Sequence, residues 1–218
     1  MTCERVALAA SNALEPPRGV AQPVRAMLPT ADARPVVCHS VIPYLPKSGS
    51  WIHAQLTGLS RWRAMVVTKR IENRATFPFD DVTSTDELGL FASLRNRIGR
   101  KRRGYFPLWR EALERAGARV LHSHFGDWGW RDLPLKRACG LPQVSSFYGA
   151  DVWKLGMLPE WRERYREYFR DGDLFLVEGN AMRKRVIELG CAPSKVVVHH
   201  LGVDLAKMQD GDVKVTPD

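Results

Sequence analysis

From Pro35 onward the chain alternates short apolar runs with longer amphipathic stretches, and the alternation of periods predicts strand and helix in turn. Six runs of five to seven residues read as strands: Val36–Ile42, Ala64–Thr68, Arg119–His124, Gln143–Phe147, Asp173–Glu178 and Lys195–Leu201. Between them, helical spacing runs through Trp51–Leu59, Asp86–Gly99, Leu108–Ala116, Trp130–Cys139, Pro159–Phe169 and Asn180–Leu189. Gly140 with Pro142, and Gly190, supply the expected helix stops. Lys69–Val82 carries neither period and reads as irregular. Strands that alternate with helices pair in parallel and are covered on both faces, so the pattern predicts an α/β, Rossmann-like doubly wound parallel sheet.

The same pattern sets the domain limits. Residues 1–34 contain Pro16, Pro17, Pro23 and Pro29 with little periodicity and are expected to form a poorly ordered leader. Residues 35–205 form the wound domain, and 206–218 are a polar tail. No apolar run approaches the roughly 18 residues needed to cross a bilayer, and Met1–Ala10 lacks the basic and apolar regions of a secretory signal. A cytoplasmic location is therefore expected. Cys3, Cys38, Cys139 and Cys191 lie far apart with no C-x-x-C pair, which argues against a zinc ribbon or a disulfide framework.

A net charge of +9 changes the picture more than the 44% hydrophobic content does. Much of the excess is local, in Arg95, Arg97, Arg100, Lys101, Arg102 and Arg103. Such a run suits nucleic acid, anionic lipid or bulk water. No nucleic-acid motif accompanies it and no aromatic interleaves it, so a basic nucleic-acid-binding module is the weaker alternative.

In an open parallel sheet, ligands bind beyond the carboxyl ends of the strands. Several of these ends carry site chemistry. After the first strand, Tyr44-Leu-Pro-Lys-Ser-Gly-Ser-Trp51 opens a helix with Gly49 between Ser48 and Ser50. Its backbone N–H groups suit a phosphate, or Ser48 or Ser50 simply caps the helix. The loop matches neither G-x-G-x-x-G nor G-x-x-x-x-G-K-[ST]. The third strand ends at His122, His124 and Gly126. The two histidines share a face, and His124, nearer the end, can exchange a proton or bind a sugar hydroxyl. His122 reads as structural, and Trp128 and Trp130 as candidate contacts. The fourth strand ends at Tyr148-Gly149-Ala-Asp151, where the carboxylate suits a hydroxyl or the next helix start; the fifth ends at Glu178-Gly-Asn180.

Taken in order, Leu45-Pro-Lys-Ser-Gly-Ser-Trp-Ile52, Val120-Leu-His-Ser-His-Phe-Gly126, Ser146-Phe-Tyr-Gly-Ala-Asp151, Leu176-Val-Glu-Gly-Asn-Ala-Met182, Leu189-Gly-Cys191 and Gly202-Val-Asp204 resemble the N-terminal half of a GT-B glycosyltransferase of family 4. The subgroup most similar assembles exopolysaccharide or colanic-acid-type polymers. The resemblance implies a retaining, nucleotide-sugar-dependent transferase with no cofactor and no metal. It places Gly49 near the donor diphosphate and His124, the catalytic candidate, at the transferred sugar or acceptor. Tyr148 stands where many members carry His, so a hydroxyl replaces an imidazole. Gly202-Val-Asp204 would lead into a second domain holding the nucleotide sugar through a Glu-x7-Glu pattern, which this sequence lacks.

The expectation is therefore an acceptor-binding half, with hexosyl transfer to a lipid-linked or polysaccharide acceptor. Ser48, Gly49, Gly126, Tyr148, Gly149, Asp151, Glu178 and Asn180 are its candidate binding residues. A separate donor-binding chain is one expected partner and an anionic membrane face, met by the basic run, another. The alternatives are an inactive or split remnant of such an enzyme, and a nucleotide-sugar epimerase of the same architecture.

Overall fold

The computed structural model describes residues 32–202. The leader expected over 1–34 and the tail over 206–218 thus fall outside the described residues, apart from 32–34. The elements are β1 (Val36–Ser40), α1 (Ser50–Thr57), β2 (Arg63–Thr68), β3 (Val82–Ser84), α2 (Leu90–Arg103), α3 (Pro107–Ala116), β4 (Ala118–His124), α4 (Gly126–Cys139), β5 (Gln143–Ser146), α5 (Ala150–Trp153), α6 (Pro159–Asp171), β6 (Leu174–Val177), α7 (Asn180–Glu188) and β7 (Val196–Val198). The seven strands form one sheet in the order β3-β2-β1-β4-β5-β6-β7, and every pairing is parallel.

The order reverses between β1 and β4, and that switch point is where an open α/β sheet leaves a crevice. Period-two alternation sorts the side chains between the two faces. Val37 of β1 and Val41 just beyond it join Ile52 and Leu56 of α1, with Val66, Val120 and Val144, in one core cluster. Val36 and Cys38 point the other way, against Trp109 and Leu113 of α3. A third cluster, rich in aromatics, packs Phe147 and Phe175 under Tyr165, Tyr168 and Phe169 of α6. A fully buried side chain of this size contributes roughly 1.5–3 kcal/mol, so α6 is firmly anchored despite its charged outer face.

Two expectations are corrected. Residues 69–82, read as irregular, end in a short edge strand, β3, paired with Val66–Thr68. The helix expected over Asp86–Gly99 instead spans Leu90–Arg103, so the whole basic run Arg95–Arg103 lies within α2 and forms its C-terminal part. Four cations in a last turn suit the negative end of the helix dipole, and Gly104 at φ 81 closes the helix in the left-handed conformation. α2 buries only Asn96, whose side-chain oxygen accepts from Leu108 N at 2.9 Å. Leu90, Phe91, Leu94 and Ile98 are left exposed, Phe91 at 91%.

Candidate active site

The site grows from the carboxyl ends of β1, β4 and β5. Parallel register puts His39 of β1 opposite His122 of β4, and both strands point these residues to the same face as His124. All three imidazoles are buried. His39 Nδ1 and His124 Nε2 share a hydrogen bond of 3.0 Å, His124 Nδ1 meets the Tyr148 hydroxyl at 2.7 Å, and His122 Nε2 meets Ser146 Oγ at 2.8 Å. The His122 and His124 rings stack with centroids 4.4 Å apart.

Burial disfavours the charged imidazole. It holds His39 well below the ordinary value, assisted by His122, and pushes His122 down to about 3. His124 is likewise held well below its ordinary value, by burial first and then by His122 and His39. The Tyr148 phenol is pushed up by burial. Tyr148, His124 and His39 therefore form a neutral chain whose donors can run in either direction, the requirement for passing a proton along it. The three histidines also bring ring nitrogens within 4.8 Å of one another. Neutral imidazoles are the form that ligates a zinc-like cation, although His39 and His124 already engage each other.

Tyr148 is the half-buried end of this chain. Its ring meets Phe125 at 4.8 Å and Trp51 of α1 at 5.9 Å, which ties the β1–α1 loop to the end of β5. Phe125, between His124 and Gly126, holds φ 71, a conformation that costs on the order of 1–3 kcal/mol for a non-glycine residue. The strain turns the chain sharply from β4 into α4. Gly126 is required by contact: a Cβ there would lie 2.1 Å from the Phe147 ring.

The candidates divide by position. Asp151 is 3% exposed and its carboxylate accepts from the backbone N–H of Gly126, Tyr148, Gly149 and Val152. It thereby staples the β4–α4 and β5–α5 turns together. His124 and Gly126 are buried in the same assembly, and Gly149 is half-buried. Gly49 is buried at the start of α1, while Ser48 and Ser50 are exposed and neither caps the helix through its side chain. Glu178 and Asn180 sit at the next strand end, and among the described residues no hydrogen bond joins their side chains to the Tyr148 group. Trp130 donates to Glu167 Oε2 at 2.9 Å and packs edge-on to Trp161, so it belongs to the α4–α6 contact. Trp128 faces Lys69 and Arg131. His39 escaped the sequence reading, for it lies mid-strand and gains meaning only through lateral register with β4.

A wound parallel sheet with polar chemistry gathered at its switch point defines a Rossmann-like domain whose rim is the candidate site. The model of Glycosyltransferase Family 4 matches residues 66–207, and the chain belongs to that family. It is 30% identical over 99 residues to a protein named as the colanic acid biosynthesis glycosyltransferase WcaL of Salmonella typhimurium, covering 44% of this chain and 24% of that protein. The Escherichia coli WcaL matches at 30% over 100 residues, with the same coverage. Among solved structures, Anabaena HepE in complex with UDP superposes with a TM-score of 0.56 at 11% identity, over 79% of this chain and 45% of that one. A UDP-N-acetylglucosamine 2-epimerase from Rickettsia bellii gives 0.53 at 10%, over 82% and 50%. These likenesses establish a GT-B-type half. The chain spans about half the length of the solved structures, and its matched stretch about a quarter of the WcaL proteins.

Proposed function

We propose that this chain is the acceptor-side half of a nucleotide-sugar-dependent, retaining glycosyltransferase that adds a hexose to a lipid-linked or polysaccharide acceptor. The observation that carries the reading is the Tyr148–His124–His39 chain ending at the switch-point rim, within a family 4 domain. His124 has no free surface and acts through Tyr148, whose hydroxyl meets the acceptor; Gly149, Glu178 and Asn180 flank it. Gly49 and Gly126 shape the turns that face the donor diphosphate, and no cofactor or metal is required. Transfer needs donor and acceptor held together in a closed cleft, so a donor-binding partner, on the same or a separate chain, completes the enzyme.

The location is cytoplasmic, with peripheral contact at the membrane. No helix among the described residues is long and apolar enough to cross a bilayer. α2, however, presents exposed Leu90, Leu94 and Ile98 at i, i+4 and i+8 beside its arginines, the pattern of a helix lying in an interface. We expect binding to anionic but not neutral vesicles, weakened by salt; equal binding to both contradicts it.

The test of function mixes the purified chain with nucleotide sugar and lipid-linked acceptor, and reads binding and product by mass spectrometry. Acceptor binding without transfer is expected. Transfer by the chain alone would overturn the half-enzyme reading. Acceptor-free conversion of the nucleotide sugar would indicate an epimerase, and tight nucleic-acid binding at physiological salt would revive that alternative.

A further inference from the structure

Beside the switch point, the segments that follow β1, β2 and β3 line an open cavity of about 570 Å³. Ile42, Pro43 and Phe106 line it with Lys69, Arg70, Arg97, Arg100 and a single carboxylate, Asp86. Arg70 is neutralised by Glu72. Among the described residues, Lys69, Arg97 and Arg100 form no ion pair. Lys69 lies 5.5 Å over the Trp128 ring and Arg100 lies 4.6 Å over Phe106, so aromatic faces hold the two cations in place. The Lys69 side chain is exposed but partly desolvated, and its ammonium is destabilised first by that desolvation and then by Arg100, Arg131 and Arg70. Within the lining Asp86 alone offsets these cations, and a bound anion would relieve the repulsion that remains.

We propose that this cavity binds a phosphate or diphosphate ester through Lys69, Arg97 and Arg100. The inference rests on the acceptor-side reading for its biological meaning, since the cavity adjoins the crevice and α2 supplies two of its cations. The volume exceeds what a diphosphate needs and leaves room for the group attached to it, within the usual range of ligand sites. The chemistry fits a lipid-linked diphosphate and a free diphosphate alike; binding separates them.

The experiment is calorimetric titration of the full chain, at about 100 mM salt to screen loose surface charge, with inorganic pyrophosphate and with a short-chain prenyl diphosphate. Both bind, and the Lys69→Ala/Arg97→Ala variant weakens both by at least about tenfold, as expected for charge-assisted contacts. Both side chains are exposed, so the variant should stay folded, with a melting temperature at or slightly above the parent's as repulsion among the cations is relieved. Arg103→Gln, the loss of a neighbouring cation outside the cavity, leaves binding unchanged. Prenyl diphosphate binding much tighter than pyrophosphate assigns the site to a lipid-linked ligand; equal affinities assign it to the free anion. Absence of binding to both probes overturns the proposal, as does equal weakening by Arg103→Gln, which would mark net charge as the cause. If a neutral acceptor glycan binds while pyrophosphate does not, the phosphate site fails and the acceptor reading stands. The reverse result separates them the other way.

Discussion

Tyr148 is where a buried file of imidazoles reaches the surface. Its hydroxyl supplies the partner of His124 Nδ1, and a buried nitrogen left without one costs roughly 1–3 kcal/mol. Tyr148→Phe should therefore lower the melting temperature measurably while keeping the fold by circular dichroism; an unchanged melting temperature would show that the bond carries no weight. The histidines make a second prediction. His122 ionises near 3 in the folded chain against an ordinary 6.5, so its contribution is complete above about pH 6.5 and is lost as pH falls toward 3. Over the whole range down to pH 3 that is worth about 5 kcal/mol, and His39 and His124 act in the same direction. Asp132 opposes them: burial raises its carboxyl to about 7, so its penalty develops as pH rises from 3.8 to 7 and is relieved in acid. Burial raises Asp127, Asp151 and Glu178 in the same direction as Asp132, so the histidines' share of the acid limb between pH 6.5 and 4.5 is read in thermal melts by substitution. His122→Gln should flatten that limb, and Asp132→Asn should steepen it by removing the counter-trend.

At the scale of elements, close approach explains what periodicity does not show. Gly126 lets α4 start against Phe147, and overpacking of this kind costs about 1–3 kcal/mol. Gly126→Ala should destabilise the chain by that amount in denaturant titrations, and a neutral result would mean that the ring simply swings away. Apolar runs placed β1, β2, β4, β5, β6 and β7 within about two residues at most ends, because buried strands need β-branched and aromatic side chains whatever their neighbours. β3 was not legible, since three residues at a sheet edge are too few to show a period. The last turn of α2, beyond Gly99, was not legible because four consecutive cations show no apolar spacing, although Gly104 marks the stop. For the site, His124, Tyr148 and Asp151 were legible as strand-end residues. Their relationship was not: Asp151 turns inward to backbone amides, and His39 enters only through the β1–β4 register, a contact across 85 positions of sequence.

For the molecule as a whole, the order β3-β2-β1-β4-β5-β6-β7 sets the crevice between β1 and β4. The histidine chain, the stapled turns and the basic cavity then lie along one rim, where three loops and α2 meet. The opposite rim, at the amino ends of the strands, carries none of this chemistry. The central claim is that this rim receives the sugar acceptor. Backbone amide chemical-shift mapping of the full chain, titrated with a lipid-linked or oligosaccharide acceptor, tests it most directly. Perturbations should concentrate in residues 42–50, 125–128, 148–151 and 178–180. Shifts confined to the amino ends of the strands, or none at acceptor saturation, would contradict the account.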